Sequence, residues 1–523
     1  MQNPPGEEPE TALSVTPPKK WAAGVPAVVH ALEYSLEQTS PRRTGVDLLA
    51  MNQVDGIDCP GCAWADPAPG RRHRNEYCEN GAKHINDEAT TRRITADFFR
   101  EHSVRDLAAR SDMWLNQQGR LTEPMIKQPG SEHYEPIGWN DALGVLAQEL
   151  KTLDSPDEAV FYTSGRAGNE AAFVLQLFAR AFGTNNLPDC SNMCHESSGF
   201  ALSETLGTGK GTVSLDDLHH ADLIFLVGQN PGSNHPRQLS ALEEAKRNGG
   251  RIVAVNPLPE AGLRRFKNPQ KPSGIVGRGT QIADRFLHIK PGGDLALFQA
   301  LNRLLLEAED ARPGTVLDHD FIDAHTTGFE EFAQHARTVD WDDVRTATGL
   351  TREEIEKVRD EVLTSERVIV CWAMGITQHK HGVPTVREIV NFLMLRGRQP
   401  GARRHRRVPG ARPQQRPGRP HHGHLGADAG HLPRRPAEGV RLRPAAPARP
   451  GHCGLHQGDA GGPRQGLPRP GRQLRPRRSR QRGHRGGDAL VPADRPHLHQ
   501  AQSLAHRLRR HRPDPADAGT NRA

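Results

Sequence analysis

Residues 401–523 contain no lysine, phenylalanine, tryptophan, tyrosine, isoleucine or methionine. A segment without these side chains has little with which to build a core. The same stretch holds 27 arginines against 7 acidic residues, a net of +20. Of 69 basic and 62 acidic residues in the whole chain, 42 and 55 therefore fall in the first 400, a net of −13. The overall +7 averages an acidic body of ordinary composition with a basic tail. No run of about 18 apolar residues occurs anywhere, which excludes a membrane-spanning helix by composition. The first residues carry no apolar run behind a basic start, and none follows Arg42 and Arg43. The sequence thus predicts no secretory leader and a cytoplasmic protein. Cysteine is scarce, 7 in 523 residues, which argues against a disulfide framework and leaves thiolates free for metals. The length allows several domains.

The most unusual stretch present is Cys59-Pro60-Gly61-Cys62, closed by Cys78 and followed by Lys83. Two cysteines with two residues between them can grip one metal centre from a single turn. A structural zinc site, a redox dithiol and an iron–sulfur cluster all fit this spacing. A second constellation is Cys190, Cys194 and His195. A cysteine beside a histidine suggests a nucleophile with its base, but adjacent residues seldom face each other. A thiolate metal ligand with histidine as local proton acceptor fits better. The plainer alternative is a buried cysteine near a surface histidine.

Residues 1–45, rich in Pro and Glu, read as a mobile lead-in, and 46–130 hold the cysteine cluster. A helix capped by Asn140 or Asp141 is expected through Leu150. Strands and helices then alternate: a strand over 159–163 and a helix over 168–182. A strand over 222–228, a helix over 236–247 and a strand over 251–257 follow. Residues 367–372 and 384–395 repeat the strand-and-helix pattern. This predicts an α/β fold with a parallel, right-handed crossover. Ligands bind at the carboxyl ends of such strands, where the loops 165–169 and 228–234 would lie.

Five motifs occur in order: the C-x-x-C; Cys78-Glu79-Asn80-Gly81-Ala82-Lys83; Asn192-Met193-Cys194-His195; Gly228-Gln229-Asn230-Pro231 with His235; and Lys290-Pro291-Gly292-Gly293-Asp294. Together they resemble the bacterial molybdopterin oxidoreductases, in the branch that resembles the formate dehydrogenase alpha subunit, over roughly 46–397. The resemblance implies a multi-domain, DMSO reductase-like architecture, here truncated, with an iron–sulfur domain over 46–130 and partial molybdopterin-binding domains over 131–397. It implies a 4Fe-4S cluster on Cys59, Cys62 and Cys78. It also implies a molybdenum or tungsten atom on two pterin guanine dinucleotides (Mo-bis(molybdopterin guanine dinucleotide)). Cys194 would ligate that metal, with His195 as proton acceptor and Lys83 between cluster and pterin. Gly228, Asn230, His235 and Asp294 would lie around a pterin nucleotide. Many relatives place a fourth cluster cysteine three intervening residues after the C-x-x-C. Asp66 stands there in this chain, leaving His73 or His84 as other candidates. The implied partners are a small-molecule substrate, formate by analogy, and an electron-acceptor protein.

The resemblance stops near Gly397. Composition alone suggests a disordered, nucleic-acid-binding tail on a metal-binding regulatory protein. A one-base shift of reading frame in a G+C-rich gene explains it more sharply. Back-translation of residues 416–426 one base out of frame permits Val-Gln-Gly-Asp-Arg-Thr-Met-Gly-Ile-Trp-Glu. Residues 465–474 and 497–505 permit further stretches resembling later motifs of the family, in one frame. Residues 398–523 are therefore expected to form no packed domain, and nucleic acid is not the expected partner.

Overall fold

A computed structural model describes residues 17–62, 64–163, 167–188, 190–396 and the pair 440–441. The described chain opens with Ala22–Ala23, a short strand, and helix α1 (Val25–Gln38), followed by α2 (Pro41–Ala50) and α3 (Glu79–Ala89). The lead-in reading is corrected here for residues 17–45. Helix α1 packs on α3 through small and polar side chains rather than large apolar ones. Ser35, Thr39, Thr44 and Asn86 are all buried. Thr39 Oγ1 donates to Asn86 Oδ1 at 2.8 Å, and Asn86 Nδ2 donates to Ser35 Oγ at 3.0 Å. Buried polar groups satisfied in this way hold a specific register where apolar area is small. The apolar contribution comes from Ala31, Leu48, Met51, Ala82 and Ile85.

Helix α4 (Trp139–Lys151) starts two positions earlier than an Asn140 cap requires: Gly138 caps it, and Asn140 and Asp141 lie inside its first turn. Residues 159–163 form no extended strand among the described residues, contrary to expectation; Thr163 makes a single bridge, and Phe161 N donates to Asn186 O at 2.9 Å. Helix α5 (Asn169–Phe182) follows the expected bounds and ends on Gly183, whose φ of 110° suits a helix C-terminus. Helix α6 (Cys190–Leu206) is kinked at His195, whose φ and ψ of −133° and 16° are not helical.

Strand β1 (Leu223–Val227) consists of five consecutive apolar residues, all buried, as a strand covered on both faces must be. Helix α7 (Gln238–Arg247) carries the chain to β2 (Arg251–Val255), then β3 (Arg285–Leu287), helix α8 (Asp294–Ala311), β4 (Val368–Trp372) and helix α9 (Gly382–Met394). The sheet is wholly parallel in the order β3-β2-β1-β4. Register places Phe225 beside Val253 and Val370. Alternation then divides β1 between two cores. Leu223, Phe225 and Val227 face α8 and α9, while Ile224 and Leu226 face α7. Elsewhere Ala22–Ala23 pairs with Arg265–Lys267, and Val440–Arg441 pairs with Thr326–Thr327. Apart from that pair, the expectations for 398–523 lie outside the described residues.

Candidate functional site

Cys59 and Cys62 lie on the loop after α2, and Cys78 caps α3, its Sγ accepting the Gly81 N–H at 3.4 Å. The Gly61 N–H reaches Cys59 Sγ at the same distance. Gly81 is a point of close approach: a Cβ there would stand 3.1 Å from Cys59 Sγ and 3.9 Å from Cys78 Sγ. Burial pushes the Cys59 thiol up to about 11, and the neighbouring Cys78 and Cys62 add to the rise. Burial raises Cys78 as well, against the pull of the Gly81 N–H. Among the described residues no three His, Cys, Asp or Glu side chains close on a point as a finished metal cage. Cys59 and Cys78 flank a glycine cradle, each with an N–H aimed at its sulfur, and Cys62 lies close enough to raise both thiols. That donor set suits an iron–sulfur group, whose sulfurs accept such bonds.

Asn52, absent from the sequence argument, knits this corner together. It is buried with a left-handed φ of 55°, a conformation asparagine tolerates. Its Oδ1 accepts the Cys59 N–H at 2.9 Å, and its Nδ2 donates to Glu76 O at 2.6 Å. Asp66 is turned away to arginine: Oδ1 lies 2.8 Å from Arg237 Nη1 in an ion pair without hydrogen-bond alignment, and Oδ2 lies 3.7 Å from Arg72. His73 is exposed. His84 borders the loop: its Cδ2 and Cys59 Sγ both lie within 3.4 Å of where a Cβ on Gly61 would be. Lys83 Nζ pairs with Glu79 Oε1 at 2.8 Å and sits 5.7 Å from the centre of the Tyr34 ring.

The second centre forms at the carboxyl edge of the sheet. The segment after β4 grips the backbone of Cys194: Thr377 Oγ1 donates to Cys194 O at 2.6 Å, and Gln378 Nε2 donates to Met193 O at 2.9 Å. Ser197 Oγ in turn donates to Thr377 O at 3.1 Å. Thr377 and Gln378 escaped the sequence reading; the only available signal was their place just beyond a strand. His195 keeps one edge open to solvent, yet partial burial of its ring and the charge of Lys210 hold it below the usual imidazole range. His235 is lowered by burial and by its neighbour His195, and packs edge-on to Trp64 with ring centres 6.0 Å apart.

Beyond β1, Gly228 turns with φ of 57° against Gly375, where a Cβ would come within 2.8 Å of backbone. Asn230 Oδ1 is buried and accepts no hydrogen bond within the described residues. It faces Gly232 and Gly262, where a Cβ would stand 3.4 and 3.2 Å away. An orphaned acceptor between two glycines fits a ligand that brings its own donor. Asp294 opens α8; burial raises its carboxyl to about 7. Its loop lies near the segment after β4: a Cβ on Gly292 would stand 3.8 Å from His379 Nδ1. A cavity of about 420 Å³ is lined in part by Lys19, Trp21, His30, Glu79 and Asn230. Cys194, His195, His235, Gly228 and Asn230 thus share one edge, with Asp294 on an adjoining loop, while Cys59, Cys62 and Cys78 occupy a separate corner.

A family model described as molybdopterin oxidoreductase matches residues 120–430. The match starts beyond Cys78 and runs past the point near Gly397 where the sequence motifs end. The chain is 54% identical over 395 residues to an uncharacterized oxidoreductase of Mycobacterium tuberculosis, covering 75% of this chain and 51% of that protein. It is 41% identical over 392 residues to protein YdeP of Escherichia coli, covering 73% and 50%. It is 30% identical over 283 residues to formate dehydrogenase H of Escherichia coli, covering 53% and 36%. The chain spans about half the length of the first two relatives. Among the described residues no helix is long and apolar enough to cross a membrane.

Proposed function

Since the chain belongs to the molybdopterin oxidoreductases, we propose that it carries the cluster-bearing front of an enzyme that oxidises a small substrate by two electrons. Formate is the substrate we favour, by kinship with formate dehydrogenase H. The observation that carries the reading is the grip of Thr377 and Gln378 on the backbone around Cys194, at the same edge as the orphaned Asn230 acceptor. A bound molybdenum centre would supply two-electron redox chemistry, and a 4Fe-4S cluster single-electron transfer toward an acceptor protein.

Cys194 supplies the thiolate to the metal, and the hydrogen bonds from Thr377 and Gln378 fix where that thiolate stands. His195, held neutral near neutral pH, takes the substrate proton at its free ring nitrogen. Asn230 Oδ1 would accept from the pterin nucleotide, held in place where Gly228 packs on Gly375 and Gly232 on Gly262, backbone against backbone. His235 and Asp294 complete the walls. Cys59, Cys62 and Cys78 would hold the cluster, with Lys83 matching the lysine that the family places between cluster and pterin. We assign residues 398–523 to a shifted reading frame, which resequencing around codons 395–400 tests directly.

Anaerobically purified protein is expected to contain iron and acid-labile sulfide; stoichiometric zinc without sulfide would reject the cluster. In the frame-restored enzyme, Cys194→Ser is expected to keep cluster iron and lose most formate-dependent dye reduction, because a hydroxyl is a poorer anionic ligand than a thiolate. Full turnover in that variant removes Cys194 from the metal.

A further inference from the structure

Arg237, just before α7, reaches from the sheet region into the cysteine corner. Its side chain is only 10% exposed. Nη2 donates to Glu76 Oε1 at 2.8 Å, Nη1 lies 2.8 Å from Asp66 Oδ1, and Nη1 also donates to Trp64 O at 3.4 Å. All three contacts flank cluster cysteines. Trp64 and Asp66 follow Cys62 closely, and Glu76 shortly precedes Cys78. Arg237 lies close enough to Cys59 and Cys78 for its charge to act on both. Charges buried in a poorly polarisable interior act over longer distances than at a wet surface.

We propose that Arg237 and its partner Asp66 set the reduction potential of the cluster held by Cys59, Cys62 and Cys78. The inference rests on the cluster reading above. It also gives Asp66 a role: the residue at the position of a fourth cysteine anchors a buried cation beside the cluster instead of ligating it. Reduction adds one electron, and so one negative charge, to the cluster. A nearby positive charge stabilises the reduced form and raises the potential, while a nearby carboxylate lowers it. The two partners therefore act with opposite sign.

The test is a redox titration followed by electron paramagnetic resonance on the full chain purified anaerobically, with Arg237→Gln, Arg237→Lys and Asp66→Asn. Iron and acid-labile sulfide are measured first in the unsubstituted chain. Their absence overturns the cluster reading itself, and this inference with it. With the cluster present, Arg237→Gln is expected to lower the reduced-to-oxidised ratio at fixed potential by about tenfold, a shift of 59 mV for one electron. Asp66→Asn is expected to move the midpoint upward, and Arg237→Lys to stay close to the unsubstituted value. A purely structural bridge would move Arg237→Gln and Asp66→Asn in the same direction, or leave the midpoint unchanged while losing iron. Either result overturns the proposal. If Arg237→Gln fails to fold, the upward shift in Asp66→Asn decides alone: no shift with iron retained refutes it.

Discussion

Helices α5 and α8 read alike in sequence, each with apolar residues at helical spacing, yet they end in opposite surroundings. In α8, Leu297, Phe298, Leu301, Leu304 and Leu305 are fully buried. In α5, Phe173 and Val174 are 59% and 61% exposed, and α4 likewise leaves Leu143 and Leu146 open. An apolar stripe shows that a face requires cover; it does not show that the cover lies in the same stretch of chain. Contiguous exposed apolar faces are contact surfaces. The 139–182 region therefore has contact surfaces that the described residues leave open, whereas α8 and α9 close a core around β1.

Four substitutions test that contrast, in order of expected size. Phe298→Ala removes a ring packed 5.6 Å, centre to centre, from Phe392, and is expected to cost about 3–5 kcal/mol in chemical or thermal unfolding of the full chain. A cost below about 1 kcal/mol would mean that the α8 core is not the stable half. Asp294→Asn acts through pH. Its folded carboxyl titrates at about 7 against an ordinary 3.8, so the folded state holds a proton that the unfolded chain has lost. Stability from this group is full below about pH 4 and falls as pH rises to about 7. The asparagine variant should therefore gain on the natural chain between pH 5 and pH 8, by no more than about 2.7 kcal/mol. Equal shifts of melting temperature at the two pH values would refute this.

His195→Ala lies on α6, which buries Ala201 and Leu202 but exposes Phe200. The variant should slow proton transfer about 10²-fold, near 2.7 kcal/mol of barrier, with its pH profile altered and its folding intact. An unchanged pH profile would assign the proton elsewhere. Phe173→Ala is expected to change stability by less than about 0.5 kcal/mol, because the ring already faces solvent. A loss comparable to that of Phe298→Ala would show that the α5 face is covered after all.

Much of the sheet was legible because its strands are short apolar runs punctuated by glycine and asparagine. The run at 223–227 and the helix before Asn248 follow from that alone. Residues 159–163 have a similar composition yet form no extended strand among the described residues, and pairing is not a local property. The N-terminal segment was misread for a related reason. Its packing on α3 uses Ser35, Thr39 and Asn86, a hydrogen-bonded contact, while the apolar stripe of Val25, Val28, Val29, Leu32 and Leu36 lies on the exposed side. The cysteines and His195 stood out by chemical type. Asn52, Arg237, Thr377 and Gln378 did not, because they act on backbone or on charges far away in sequence.

At Gly228 and Gly375 two backbones touch, with Gly375 N donating to Gly228 O at 3.1 Å and no room for a side chain on either. This is a rivet through two loops. One loop carries Asn230; the other carries Thr377 and Gln378, which hold Cys194. Neither loop can slide without dragging the other. A displacement felt at Asn230 is therefore delivered, nearly rigidly, to the backbone that aims the Cys194 thiol.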